Sequence, residues 1–111
     1  DTNIKRNLEI IDAIKSLIAF YKDEKKYDIF KKEIEFLMID NIIISTMTRI
    51  ICSNKQYKKQ LKEYWHFINK EFPTYKKNKY IKNLDFNRKI IYYLNSRKLY
   101  LITKLIFKLK G

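Results

Sequence analysis

Basic side chains in the second half of the chain are its most biased chemical feature. Residues 1–53 hold nine Lys and Arg against nine Asp and Glu, whereas residues 54–111 hold sixteen against three, so the net charge of +13 lies in the second half. Such an imbalance opposes compaction and attracts polyanions. It predicts contact with an anionic membrane surface, nucleic acid or a phosphorylated substrate. The candidate anion-binding residues are Lys76, Lys77, Lys79, Lys82, Arg88, Lys89, Arg97, Lys98, Lys104 and Lys108.

Residues that could carry out catalysis are scarce. The carboxylates of the first half lie among lysines at helical spacing, which is typical of solvated or ion-paired helix faces. The sequence has no Asp-x-Asp pair for a metal diphosphate and no Gly-rich phosphate loop. His66 has no second His and no Cys at ligand spacing. We therefore expect no catalytic residue, cofactor or metal within this segment.

Four further side chains have structural interpretations. A lone Cys52 is expected to be a buried thiol in a reducing cytoplasm. His66, between two aromatic residues, is expected to be a partly buried packing residue, and Trp65 a core residue. Asp40 lies in an apolar stretch and is expected to pair with a Lys or Arg, or to cap a neighbouring backbone, because an unpaired buried carboxylate costs several kcal/mol.

The elements that position these residues are expected to be helices. One Gly and one Pro leave little turn punctuation, and segments rich in Leu, Ile, Lys and Glu are typical of helices. We predict a single all-α domain of about four to five helices, with core helices over about residues 7–72 and a basic tail over 73–111. The expected helices cover residues 7–21, 27–51, 54–72, 85–94 and 96–110, with a connector at 22–26, a turn or short helix at 74–83, and a break at Asn95-Ser96. The expected N-caps are Asn7, Asn54, Asp85 and Ser96.

The second predicted helix is apolar on most sides at its centre. Three consecutive isoleucines, Ile42 to Ile44, require neighbours all round it. Its most apolar window, residues 36–51, falls short of the roughly 20 residues that a membrane span requires, so we expect no transmembrane helix. No segment resembles a signal peptide. The predicted inward stripe is Phe30, Ile34, Leu37, Ile44, Met47 and Ile51.

The last predicted helix is basic and amphipathic. Its apolar face is expected to comprise Leu99, Ile102, Leu105, Ile106, Phe107 and Leu109, with Arg97, Lys104 and Lys108 opposite. This pattern is typical of a helix that lies in a lipid headgroup layer. The alternative is that the apolar face packs on the domain. If about five basic residues from Lys76 onward gather at one end of the bundle and engage lipid, they supply roughly 5 kcal/mol.

The order of these elements resembles the C-terminal helical region of bacterial family-2 glycosyltransferases, the GT-A enzymes that build surface polysaccharides. The resemblance covers about residues 8–110 and is moderately specific in its order of elements. Tyr75 stands where relatives often carry Trp. The residues that carry the resemblance are Glu33-x-Glu35-Phe36-Leu37, then Ser45 and Arg49, then Phe72-Pro73-Thr74-Tyr75-Lys76-Lys77-Asn78-Lys79-Tyr80, then the basic apolar tail.

The resemblance implies an accessory module of a longer enzyme. In that family the nucleotide-sugar donor, the divalent metal and the catalytic base belong to an N-terminal α/β domain, and no such motif occurs here, so no catalytic residue is carried over. The implied role is packing on the catalytic domain and attachment at the cytoplasmic face of the plasma membrane, where a lipid-linked or polysaccharide acceptor is glycosylated. The expected partners are an anionic membrane surface and the catalytic domain. A homodimer through the apolar second helix is an alternative that the sequence leaves open.

Two other classes of function fit the same charge. A nucleic-acid-binding module is disfavoured because only four of the 25 basic residues are Arg and no helix-turn-helix signature occurs. A protein–protein interaction module would instead use the apolar second helix as its docking surface. That role is compatible with membrane attachment.

Overall fold

The fold is built from helices alone in the part of the chain that is described. A computed structural model describes the backbone of residues 2–53 and 55–110 and the side chains of residues 9–53 and 55–109. No strand occurs among these residues, which confirms the all-α prediction. The elements are α1 (Thr2–Asp23), α2 (Tyr27–Met38), a π-helical segment (Ile39–Thr46), α3 (Met47–Ser53), α4 (Tyr57–Glu71), two 3₁₀ helices (Tyr75–Lys77 and Lys79–Asn83), α5 (Phe86–Ser96) and α6 (Tyr100–Lys110).

A long central helix forms the middle of the bundle. The α2 helix, the π segment and α3 follow one another without a break over Tyr27–Ser53. Ile42, Ile43 and Ile44 are all buried, as their succession in the sequence predicted, because α1, α4, α5 and α6 cover this helix. Its fully buried side chains are Met38, Ile39, Ile42, Ile43, Met47, Ile50 and Ile51.

The length of the central helix exceeds the sequence estimate. The Tyr27–Ser53 helix has 27 residues and a window of mean hydropathy 1.4, so length and composition alone would let it cross a membrane. The expectation of no such helix rested on the shorter window 36–51. Half of the apolar window is buried against the rest of the chain. This burial is typical of the core helix of a globular bundle.

The π segment changes the backbone hydrogen bonds of the central helix beside α5. The Met47 N–H donates to the carbonyl of Ile42, five residues back, rather than four. The neighbouring carbonyl of Ile43 accepts a hydrogen bond from Nδ2 of Asn95 at 2.7 Å. The amide of α5 thus satisfies a backbone oxygen deep in the core.

Asn95 joins three helices through its one side chain. It has no exposed surface, and its Nδ2 also donates to Oγ1 of Thr48 at 3.0 Å. Its Oδ1 accepts from Oγ1 of Thr103 on α6 at 2.8 Å. The sequence predicted Asn95 to break a helix; it instead lies within α5, which ends one residue later.

In α2 the predicted inward stripe is confirmed at Ile34 and wrong at Phe30 and Leu37. Phe30 and Leu37 are 38% and 44% exposed, whereas the buried face comprises Ile34, Glu35 and Met38. The prediction continues one α-helical period of 3.6 residues from α3 back into α2. The π segment between them has more residues per turn, so this period assigns the wrong residues of α2 to the buried side.

Helix boundaries are partly as predicted. In α4 the predicted inward residues are buried, and the helix ends at Glu71, just before Pro73. Asp85 caps α5, since its Oδ1 accepts from the backbone N–H of Arg88 at 2.8 Å. Residues 75–83 form short 3₁₀ helices, within the predicted turn or short helix.

Two predicted caps are wrong and one is undescribed. Asn7 lies inside α1, which already begins at Thr2. Ser96 does not cap α6, because the chain turns through a left-handed Lys98 (φ 61°) and the helix begins at Tyr100. The predicted cap Asn54 falls outside the described residues.

We expect Asn95→Leu to destabilise the protein by about 2–4 kcal/mol. The change keeps the volume but leaves the Ile43 carbonyl and the Thr103 hydroxyl buried without their partner. Urea unfolding followed by circular dichroism measures the difference. Asn69→Leu, on the exposed surface of α4, is the matched control and should shift the free energy of unfolding by less than about 0.5 kcal/mol. Equal effects of the two changes would contradict the role of Asn95.

Candidate functional site

The α6 helix packs on the bundle through polar and aromatic side chains. Tyr100 and Thr103 are its buried residues. The Tyr100 hydroxyl accepts a hydrogen bond from Nε1 of Trp65 at 2.7 Å, and its ring lies edge-on to Tyr57 with centroids 5.9 Å apart. Trp65 is a core residue, as predicted. The side of α6 that faces the core is therefore its least aliphatic side.

The opposite side of α6 is aliphatic and exposed. Leu101, Leu105 and Leu109 recur every four residues and are 70%, 55% and 78% exposed, and Ile102 beside them is 45% exposed. We call these four residues the outer face of α6. None of the four is buried by the part of the chain that is described.

Two lysines border the outer face. Lys104 and Lys108 are exposed and lie one turn apart on α6. The Lys104 Nζ is 5.7 Å from the ring centroid of Tyr57, so its stem lies along the aromatic surface while its charge faces solvent. The helix thus presents an aliphatic strip with ammonium groups along one edge.

The predicted apolar face of the last helix is divided by the structure. Ile102, Leu105 and Leu109 belong to the outer face, and Leu99 is 39% exposed just before the helix. Ile106 is half-buried and Phe107 lines a groove towards α3 and α5. The sequence prediction missed Leu101, although its four-residue spacing to Leu105 and Leu109 is a signal for one helix face.

The basic residues of the 3₁₀ segment lie away from α6. Asn78 donates to Oε1 of Glu35 at 2.8 Å and to the carbonyl of Lys32 at 2.9 Å, which holds this segment against α2. Lys108 instead lines a groove with Cys52, at the end of α3. Glu35 and Cys52 are seventeen residues apart in the central helix, about 20–25 Å. The prediction of a single basic end is therefore wrong, because the lysines of the 3₁₀ segment and those of α6 form two separate groups. The group on the 3₁₀ segment comprises Lys76, Lys77, Lys79 and Lys82, all exposed. The group on α6 comprises Lys104 and Lys108.

A second contact also ties the 3₁₀ segment to α2. The Tyr80 hydroxyl donates to Oε1 of Glu33 at 2.8 Å. This hydrogen bond lowers the pKa of the Glu33 carboxyl and raises the pKa of the Tyr80 phenol. Lys79 Nζ lies 5.1 Å from the Tyr80 ring and contributes to the lower Glu33 pKa. The Glu33 carboxylate, from the first half of the chain, therefore offsets part of the positive charge of the 3₁₀ segment.

Arg88 differs from the other predicted anion-binding residues. It forms an ion pair with Asp40, the acid for which a basic partner was predicted. The pair joins α5 to the π segment, so Arg88 has a structural partner rather than a free charge.

The remaining predicted anion-binding residues, Lys89, Arg97 and Lys98, are exposed. The Arg97 guanidinium lies 4.3 Å from the Tyr93 ring, and Lys98 Nζ lies 5.6 Å from the Trp65 ring.

Burial changes the acidity of several tyrosines in the core. Burial raises the pKa of Tyr75, whose ring is 6.1 Å from Trp65, to about 12. Burial likewise raises the pKa of Tyr64 to about 12 and, against the Trp65 hydrogen bond, raises that of Tyr100. These phenols are neutral at physiological pH, so they act as packing groups. Tyr100 also accepts the Trp65 hydrogen bond, whereas the buried Tyr64 hydroxyl has no hydrogen-bond partner among the described residues.

Cys52 and His66 are more accessible than predicted. Cys52 is exposed because it lies in the last turn of α3, where that helix faces the groove beside α6. Partial burial still raises the pKa of its thiol. His66 is exposed on α4 and lines a cleft of about 650 Å³ between α1 and α4.

The cleft beside His66 has balanced charge. Its three acids are matched by three lysines. Across the described ranges, no three His, Cys, Asp or Glu side chains form a group able to hold a metal ion. The seven charged or titratable residues that line the cleft are Asp12, Lys15, Lys62, Glu63, His66, Lys70 and Glu71.

Comparisons with protein-family models, curated proteins and solved structures found no match to this chain. Any function proposed for this chain is therefore argued from its own residues.

We expect the two sides of α6 to differ in their effect on folding. Leu101→Gln with Leu105→Gln should change the free energy of unfolding by less than about 1 kcal/mol, because both side chains are already in water and Gln is a good helix former. Thr103→Val should cost about 1–3 kcal/mol, because it leaves the Asn95 carbonyl oxygen unsatisfied. Chemical denaturation of each variant measures this, and a larger loss in the glutamine variant would contradict the assigned faces.

Proposed function

We propose that α6 attaches this chain to an anionic lipid surface. The observation that carries the proposal is the outer face of α6, which stays in water beside Lys104 and Lys108 while the helix packs through Tyr100 and Thr103. An aliphatic strip with cations at its edge matches the interface of a bilayer, where apolar side chains enter the acyl boundary and ammonium groups stay among phosphates.

The energetics favour reversible attachment. Burying a Leu or Ile side chain contributes about 1.5–3 kcal/mol, so the exposed parts of the four outer-face residues supply about 5 kcal/mol. Lys104 and Lys108 add about 2 kcal/mol near an anionic leaflet. The sum is comparable to a single myristoyl chain, about 5.5 kcal/mol. The contribution of about 2 kcal/mol from Lys104 and Lys108 replaces the sequence-based electrostatic figure of roughly 5 kcal/mol, because the 3₁₀ lysines lie along a different part of the bundle.

The proposed setting is a bacterial glycosyltransferase that transfers a sugar from a nucleotide-sugar to a lipid-linked or polysaccharide acceptor. This part of the proposal rests on the sequence resemblance to the C-terminal region of family-2 enzymes. The chain would act as an accessory module that packs on the catalytic domain and holds it at the cytoplasmic face of the plasma membrane. The resemblance assigns both the nucleotide-sugar donor and its metal ion to that catalytic domain.

We expect the protein to cosediment with vesicles that contain phosphatidylglycerol and not with vesicles of phosphatidylcholine alone. Leu101→Gln with Leu105→Gln should reduce binding at least tenfold, because the aliphatic contribution is the larger one. Lys104→Glu with Lys108→Glu should also weaken binding to the anionic vesicles.

The matched control is Lys62→Glu with Lys70→Glu. This variant has the same net charge as the α6 lysine variant, but both positions face the cleft between α1 and α4. It should retain most vesicle binding. Equal loss in the two lysine variants would show that net charge alone is responsible, and equal binding to neutral vesicles would reject the electrostatic part.

The enzymatic setting has its own test. A polypeptide that joins this segment to its catalytic domain should transfer sugar from a nucleotide-sugar to a membrane-embedded acceptor. Leu101→Gln with Leu105→Gln should lower that rate and spare transfer to a soluble acceptor analogue. A parent polypeptide without sugar transfer would remove the glycosyltransferase proposal and leave the vesicle result standing.

A further inference from the structure

A groove lies on the inner side of α6, away from its outer face. It has a volume of about 430 Å³ and runs between α3, α5 and α6. Ile44, Ile91 and Phe107 give it an aliphatic and aromatic wall. A second groove of about 360 Å³ shares Cys52 and Phe107 with it, so the two adjoin. Each volume falls within the range of about 300–1,000 Å³ for small-molecule sites.

The charges along this groove have one sign. Arg49 and Arg88 line the first part, and Lys104 and Lys108 line the second. Among the described residues, no Asp or Glu lines either part. Asp40 neutralises Arg88 from outside the lining, so the positive charge available to a ligand beside the apolar wall is that of Lys104 and Lys108. The larger cleft beside His66 differs, because its acids and lysines balance.

We infer that this groove binds a single-chain lipid with an anionic head group. Its acyl chain lies along Ile44, Ile91 and Phe107, and its head group lies beside Lys104 and Lys108. Apolar walls select the chain by removing its surface from water. The ammonium groups select a phosphate or carboxylate over a neutral head group through charge-assisted hydrogen bonds.

This site shares Lys104 and Lys108 with the attachment proposed for the outer face, but its apolar surface is a different one. The outer face contacts many lipids of a bilayer at once and needs no enclosed volume. The groove holds one molecule in solution, and its lining includes none of Leu101, Ile102, Leu105 or Leu109. The two proposals can therefore fail separately.

Cys52 provides a direct test because it is the only cysteine of the chain and lines both parts of the groove. The rate of its reaction with a maleimide is measured with and without oleoyl lysophosphatidic acid, below the concentration at which micelles form. We expect this lipid at saturation to slow labelling at least tenfold. Monooleoylglycerol has the same chain and no charge, so its affinity for the groove should be at least about tenfold lower. Glycerol 3-phosphate, with the charge and no chain, should give no protection.

Asn87→Trp places a large ring at the exposed edge of the groove without removing a core side chain. It should weaken the protection by lysophosphatidic acid at least tenfold. Asn69→Trp makes the same change on α4, outside the groove, and should leave the protection intact. Absence of protection in the unmodified protein, equal protection by the neutral analogue, or equal effects of the two tryptophan variants would each overturn the inference. Lack of protection in a protein that still cosediments with anionic vesicles would reject the groove alone.

Discussion

The buried amide of Asn95 is the interaction on which the arrangement of the helices depends. Its two N–H groups and its carbonyl oxygen are all used, by the Ile43 carbonyl, the Thr48 hydroxyl and the Thr103 hydroxyl. A primary amide without exposed surface is tolerated only when its polar atoms have partners, because each unmade hydrogen bond would cost about 1–3 kcal/mol. These geometric requirements fix α5 and α6 against the π segment, where neighbouring apolar contacts alone would permit sliding.

The placement of α6 follows from that junction. Since Thr103 must reach Asn95 and Tyr100 must reach Trp65, the helix turns its polar and aromatic side inward and its leucines outward. This is the reverse of the usual amphipathic orientation, in which the aliphatic stripe covers the core. The outer face of α6 is therefore a consequence of polar bonds made elsewhere on the same helix. The inner groove arises from the same orientation, because Phe107 closes only part of the space between α6 and its neighbours.

The charge of the second half acquires a different meaning once the chain is folded. The lysines of the 3₁₀ segment and those of α6 are close in sequence to one another but border different parts of the central helix. Glu33 and Asp40, from the first half, fold back to contact Tyr80 and Arg88. At α6 the positive charge is limited to a few lysines beside an aliphatic surface. This combination suits an interface to which electrostatic attraction and burial of apolar side chains both contribute.

Local pattern by itself determined the helical class, the burial of Ile42 to Ile44, the inward residues of α4, the end of that helix before Pro73 and the Asp85 cap. Each follows from periodicity, from the missing N–H of proline or from a carboxylate's reach to nearby N–H groups. Only the tertiary structure decided the π segment, the burial of Asn95, the exposure of Cys52 and which side of α6 faces water. Asparagine is common in turns, and the burial of Asn95 is favourable because it bonds to Thr103 and also to Ile43 and Thr48, which lie 52 and 47 residues away. Such partners are distant along the chain, so a pattern of neighbouring residues does not specify them.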